Sequence, residues 1–275
     1  MSDTYLEFRD LTLGYDSHPA VHHLTGAVER GTLMAVVGAN GSGKSTLLKG
    51  IVGILPPMSG SISLDPAARI AYLPQQSDID RSFPARVIDL VQLGLWSRRG
   101  LLGRFTRADR AAVAAALSAV GLEGFEKRPI DTLSGGQLQR ALFARVLVQD
   151  ADLILLDEPF NAIDARTVAD LVALIGRWHA EKRTVIVVSH DMELVRRHFP
   201  YTLLLARQPV AWGRTEEVLG PENLSKARRF TEAWSEDAPW CEPERGDAHD
   251  HSDGHGHAHG HHRHDHTHGQ GPKAA

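Results

Sequence analysis

The sequence is short of cysteine, of long apolar runs and of excess positive charge. Cys241 is its one cysteine, so no disulfide can form within the chain, which fits a reducing compartment. Apolar stretches such as 153–156 and 185–188 are four residues long, whereas a membrane-spanning helix needs about twenty. The N-terminus, beginning Met1-Ser2-Asp3, lacks the basic-then-apolar pattern of an export signal, so none is expected. The net charge of −4 gives no basic surface of the kind nucleic acid requires, and no nucleic-acid partner is expected. Beyond residue 243 there is no aliphatic side chain larger than alanine. Such a segment cannot bury enough apolar area to offset the entropy of ordering, so residues 238–275 are expected to be a disordered tail.

What is there, over residues 1–237, is an alternation of two patterns. Short β-branched and aliphatic runs at 33–37, 69–73, 153–156, 184–189 and 201–205 suit parallel strands buried on both faces. Between them, Leu47, Leu48, Ile51 and Val52 share one helical face, as do Val168, Leu171, Val172 and Ile175 behind Asp164 as N-cap. The rhythm breaks over about 77–148, which is mostly helical in pattern: an alanine-rich stretch at 111–120 follows Thr106 and Asp109, spaced as a capping box, and stops at Gly121. A further short helix is expected within 222–235. The fold class is α/β with a mostly parallel sheet and an inserted helical subdomain.

Gly38-Ala39-Asn40-Gly41-Ser42-Gly43-Lys44-Ser45-Thr46 follows the first of the apolar runs and opens a helix. This is the P-loop pattern in the context it needs. Glycine lets backbone N–H groups curl around phosphate without a Cβ in the way, and the helix N-terminus adds a favourable field. Gly38, Asn40, Gly41, Ser42, Gly43 and Thr46 are the expected cradle for ATP; Lys44 reaches its terminal phosphates and the Ser45 hydroxyl faces Mg²⁺. The run at 153–156 ends in Asp157-Glu158. Behind a P-loop these read as a Mg²⁺-shell carboxylate and a general base for the attacking water.

Leu133-Ser134-Gly135-Gly136-Gln137 resembles the signature of ABC-transporter ATPases. The resemblance covers about residues 4–220 and implies a RecA-like P-loop core preceded by antiparallel β strands. It also implies a homodimer in which Ser134, Gly135, Gly136 and Gln137 face nucleotide held by the other subunit. Tyr15 resembles the aromatic that stacks on adenine. Gln75 resembles the glutamine that touches Mg²⁺, with Gln76 as the competing residue. Asp164 resembles the D-loop carboxylate, and His190 the switch histidine on the γ-phosphate. The implied catalytic set is Glu158, His190 and Lys44, with Mg²⁺ held through Ser45, Gln75 and Asp157. The implied partners are integral membrane permease subunits and, through them, an extracytoplasmic metal-binding protein, with this chain on the cytoplasmic face of the bacterial inner membrane.

Within that family, Tyr72-Leu73-Pro74-Gln75, Asp80 to Pro84, and Val87 to Val91 resemble the zinc/manganese uptake branch. The tail adds its own chemistry. Of 16 histidines, ten lie at His249, His251, His255, His257, His259, His261, His262, His264, His266 and His268, with aspartates among them. Imidazole with a pKa of roughly 6.5 is largely neutral at cytosolic pH, and with carboxylate it suits Zn²⁺, Ni²⁺, Cu²⁺ or Co²⁺ over Mn²⁺ or Mg²⁺. Zinc import is the leading expectation. The alternatives are manganese, nickel or iron-chelate import, or a metal-buffering protein with a regulatory nucleotide domain.

Overall fold

In the computed structural model, which describes residues 4–100, 103–161 and 163–233, two sheets and nine helices can be followed among the described residues. The chain starts with strands β1 (Thr4–Tyr15) and β2 (His18–Glu29), then β3 (Leu33–Val37) and helix α1 (Lys44–Ile51). Strands β4 (Ser59–Leu64) and β5 (Ile70–Leu73) lead into helices α2 (Val87–Gln92), α3 (Trp96–Arg99), α4 (Arg107–Ala119) and α5 (Gly135–Gln149). Then come β6 (Leu153–Asp157), α6 (Ala165–Ala180), β7 (Thr184–Val188) and α7 (Met192–His198). The described chain closes with β8 (Tyr201–Ala206), β9 (Gln208–Arg214), α8 (Thr215–Val218) and α9 (Pro221–Ala233).

A three-stranded antiparallel sheet has the order β2-β1-β4, and a six-stranded sheet the order β5-β6-β7-β3-β8-β9. In the latter β5, β6, β7, β3 and β8 are parallel, and β9 turns back antiparallel on β8. Every residue of β3, β6 and β7 is buried. Because successive side chains point to opposite faces and both faces are covered, their sequences are apolar but for Asp157 and Thr184 at strand ends. Leu33, Ala35 and Val37 enter a core shared with α2, α4, α5 and α6, whereas Met34 and Val36 enter a second core with α1, β1 and β2. The six-stranded sheet is thus covered on one face by helices and on the other by α1 and the antiparallel sheet.

Local chemistry sets the helix starts. Thr106 Oγ1 accepts from Asp109 N–H at 3.2 Å while Asp109 Oδ2 accepts from Thr106 N–H at 2.7 Å, so the expected capping box opens α4. Gly121, just beyond α4, has φ +68°. Asp164 Oδ1 caps α6 by accepting from Thr167 N–H at 2.9 Å. At the β1–β2 hairpin, Asp16 and Ser17 both take positive φ, 46° and 66°, the twist a two-residue hairpin turn prefers. Trp212 on β9 lies against Gly26 of β2, where a Cβ would come within 2.5 Å of the indole, and 6.0 Å from the Phe8 ring, which ties the two sheets together.

The largest fully buried side chain is Phe143 of α5, stacked at 5.9 Å and 6° on Trp178 of α6. Phe143→Ala removes this contact and leaves a void, so the chain is expected to lose about 3–5 kcal/mol of stability. Urea unfolding followed by circular dichroism should show the midpoint fall with little change in slope.

Candidate functional site

The parallel strands end on one side, and the candidate residues sit at those ends, as open α/β sheets generally arrange. β3 runs into the P-loop, β6 ends at Asp157 with Glu158 next, and β7 leads to Ser189 and His190. Because β3 is flanked by β7 and β8 with β6 one strand further, these segments meet around α1. A cleft of about 680 Å³ is lined by residues 40–46 together with Ala20, Gln75, Glu158, Asn161 and His190.

Two glycines make the loop possible. Gly43, the N-cap of α1, has φ +93°, and a Cβ there would run into the Ala20 carbonyl. A Cβ on Gly38 would strike the Leu205 carbonyl. The buried Lys44 ammonium donates to the Gly38 and Ala39 carbonyls at 3.0 and 2.8 Å. Burial lowers its pKa, while Glu158 and Asp157 act in the opposite direction.

Ser45 Oγ donates to Asp157 Oδ1 at 3.1 Å. The other carboxylate oxygen, Asp157 Oδ2, is buried without a hydrogen bond, and so is the hydroxyl of Tyr72, a residue whose pKa Asp157 helps to raise. Burial, with Glu158 nearby, lifts the Asp157 pKa to about 6 against the help of Ser45. A hydroxyl and an under-satisfied carboxylate oxygen are the ligands a hard cation takes, so the site fits Mg²⁺. Gln75, whose amide N–H donates to Glu158 Oε2 at 3.2 Å, keeps its carbonyl oxygen available for the same ion.

Glu158 is the centre of a second cluster. Gln75 and Asn161 both donate to its Oε2, at 3.2 and 3.3 Å, and His190 Nδ1 lies 3.8 Å away. Its backbone adopts φ +46°, unusual for a residue with a side chain and typical of positions where geometry is held for function. The Glu158 N–H donates to the Val188 carbonyl at 3.1 Å. That bond fixes the carboxylate between the ends of β6 and β7.

The two glutamines separate cleanly. Gln75 faces Glu158, while Gln76 donates to the Gly135 carbonyl at 2.8 Å. Ser134 caps α5, accepting from Gln137 N–H at 3.2 Å and donating its own N–H to Gln137 Oε1 at 3.0 Å. Ser134, Gly135, Gly136 and Gln137 are not in the lining of the P-loop cleft of their own chain, and neither are Tyr15 and Asp164. Tyr15 is 47 % exposed, at the end of β1 next to the hairpin turn. The position from β2 that does reach the cleft, Ala20, carries no sequence signal. Asn161 is legible in the sequence only as part of the Asn161–Asp164 loop; its bond to Glu158 needs the fold. The ten tail histidines, His249 to His268, lie outside the described residues. Among the described residues no group of three or more His, Cys, Asp or Glu could hold a metal ion, and no helix is long and apolar enough to cross a membrane.

The family model described as ABC transporter matches residues 21–161. The manganese transport system ATP-binding protein of Bacillus subtilis is 40% identical over 227 residues, covering 80% of this chain and 91% of that protein. The zinc transport system ATP-binding protein of Treponema pallidum is 38% identical over 224 residues, 79% of this chain and 84% of that one. Among solved structures, a chain of a transporter described as metal-chelate type, in an inward-facing conformation, superposes with a TM-score of 0.74 at 30% identity, covering 82% of this chain and 89% of that one.

The raised pKa of Asp157 has a stability consequence. Its folded value of about 6 exceeds the unfolded 3.8, so folding favours the protonated acid. The folded state loses stability as pH rises from about 4 to about 6, and the full loss stands above that range. In the absence of Mg²⁺ and nucleotide, Asp157→Asn is expected to raise stability at pH 7.5 by about 2–3 kcal/mol. The gain should vanish below about pH 4, while Mg²⁺-dependent hydrolysis is lost. Thermal unfolding across pH checks the first part and phosphate release the second.

Proposed function

From the premise that this chain belongs to the ABC transporter family and is an ATPase of that kind, we propose that it energises import of a divalent metal ion, with zinc as the cargo. It works as a homodimer on the cytoplasmic face of a bacterial inner membrane, docked on separate permease subunits that receive metal from an extracytoplasmic binding protein. Support for the metal class comes from relatives named for manganese and zinc transport. The choice of zinc rests on the tail, where imidazole outnumbers the harder oxygen ligands that manganese prefers.

The observation that carries the dimer is the placement of Ser134. It caps a helix whose first N–H groups are suited to phosphate, yet it stands outside the cleft of its own chain. A second subunit placed head to tail would bring Ser134, Gly135, Gly136 and Gln137 to the first subunit's ATP, with Asp164 beside them: Gly136 is close enough that a Cβ would lie 3.6 Å from Asp164 Oδ2. The helical region offers the permease exposed apolar side chains in Leu93, Trp96 and Phe105, which line one groove, and in Phe83.

In each composite site the P-loop N–H groups and Lys44 hold the ATP phosphates. Ser45, Asp157 and Gln75 would hold Mg²⁺, which when bound neutralises phosphate charge. Tyr15, exposed at the end of β1, would stack on adenine. Glu158 accepts the proton of the attacking water, Asn161 and Gln75 orient that carboxylate, and His190 donates to the terminal phosphate.

Glu158→Gln should bind MgATP with near-unchanged affinity and lose about 10²–10⁴-fold in steady hydrolysis. Size-exclusion chromatography with ATP should then show a trapped dimer. Wild-type turnover in this variant would remove Glu158 as the base.

The histidines at 249–268 are proposed to bind Zn²⁺ with moderate affinity and to buffer it as it leaves the permease. Calorimetric titration of the full chain against one ending at Pro243 should show zinc stoichiometry falling on truncation, with ATP hydrolysis retained, and binding weakening below about pH 6 as imidazole protonates. Equal stoichiometry would take the tail out of the metal chemistry, and zinc inhibition confined to the full chain would make it a sensor.

A further inference from the structure

The segment between β5 and α2 touches both ends of the chemistry. Gln75 donates into the P-loop cleft, to Glu158 Oε2 at 3.2 Å. Its neighbour Gln76 donates to the Gly135 carbonyl at 2.8 Å. Further along the same segment, the Arg81 guanidinium donates to the Leu133 carbonyl. These two acceptors belong to the residues immediately before and immediately after Ser134. The Ser134 side chain is meanwhile committed to its own capping box with Gln137.

The two contacts differ from ordinary helix capping. The Leu133 carbonyl stands outside α5, with Leu133 in extended backbone at φ −79° and ψ 141°, so Arg81 gives it a charge-assisted partner. Gly135 is the first residue of α5, where the backbone N–H groups of the turn point out of the helix. The two donors fix the Leu133–Ser134 and Gly135–Gly136 peptide planes, and with them the direction of the N–H groups the turn presents. Neither Gln76 nor Arg81 lines the P-loop cleft; both spend their donors on the start of α5.

We propose that Gln76 and Arg81 are positioning residues that clamp the peptide groups on either side of Ser134, orienting the α5 N-terminus toward nucleotide held by a second copy of this chain. The consecutive Gln75 and Gln76 then make one strap: a shift of Glu158 in one composite site is felt through a single peptide unit at the helix end that serves the other site. This inference rests on the head-to-tail dimer proposed above.

The test uses the full-length chain and four variants: Gln76→Leu, Arg81→Ala, Arg81→Lys and the double Gln76→Leu/Arg81→Ala. Each is made with Glu158 intact and again in the Glu158→Gln background. Affinity for a fluorescent ATP analogue, measured on dilute monomer, should be unchanged, because the P-loop is untouched; with thermal unfolding it also shows that each variant is folded. In the Glu158→Gln background, the ATP concentration needed for half-maximal dimer formation should rise about tenfold for Arg81→Ala, the scale of one hydrogen bond from a charged donor. It should rise further for the double variant. With Glu158 intact, KM for ATP should rise more than kcat falls, since the lost contacts act on closure around nucleotide. Arg81→Lys, which can still donate to a carbonyl, should recover most of the effect; a purely structural role would not separate closure from monomer binding in this way. If the Glu158→Gln parent does not dimerise with ATP, the composite-site reading fails and the clamp fails with it. If the parent dimerises and the double variant closes at the same ATP concentration, the clamp alone is overturned.

Discussion

Asp157 carries a carboxylate to the end of a strand whose five residues are all buried, and desolvation there pushes its pKa to about 6. A folded protein keeps such a group only where something compensates it. The partial compensation in the chain itself is the Ser45 hydroxyl at 3.1 Å, helped by the charge of Lys49. The position of that hydroxyl depends on α1 starting at Lys44, which depends in turn on the left-handed Gly43 and on β3 ending one P-loop before it. Glu158 follows Asp157 directly and inherits its depth; its positive φ and its bond to the Val188 carbonyl are what turn the next carboxylate outward into the cleft. Loop, helix start, strand end and the Glu158 carboxylate therefore form one mechanical unit anchored on a charge in an unfavourable place.

Much of this is legible in the sequence. The unbroken apolar runs mark β3, β5, β6, β7 and β8 to within a residue, because burial on both faces removes the polar alternation that usually obscures a strand. Caps at Thr106, Ser134 and Asp164 are readable for the same kind of local reason: the side chain that starts a helix lies three residues from the N–H it satisfies. The antiparallel β1, β2 and β4 follow from family resemblance alone. Their registers shift at several points and β4 is largely exposed, so no clean period survives in the sequence. β9 leaves no sequence signal, since Gln208–Arg214 holds a proline and a glycine and is only half buried.

At the site, residues that carry a motif are visible in the sequence and residues that act by proximity are not. Lys44, Ser45, Asp157 and Glu158 are fixed by adjacency to the loop and to a strand end. Gln75 and Gln76 are chemically identical and consecutive, so only the direction of the backbone distinguishes the one that meets Glu158 from the one that meets Gly135. Asn161 and Arg81 look like ordinary loop residues until the fold brings them within bonding distance of Glu158 and Leu133. A polar residue in a loop has no periodicity to betray it, and its partner can lie on a distant part of the chain.

The position of β3 also bears on how the molecule is made. Residues 33–37 leave the ribosome early, but the strands that flank them, β7 and β8, end at residues 188 and 206. Throughout most of synthesis the central strand has both edges unpaired and its apolar side chains without their final cover. Contacts of this sequence separation are slow to form, and open apolar edges invite association between nascent chains. The Trp212–Gly26 contact arrives later still, so this tie between the antiparallel sheet and the main sheet forms only when nearly all of the described chain has emerged. Growth at low temperature, slower translation and chaperone supply are therefore the variables that should govern the yield of soluble protein, more than the stability of the finished fold.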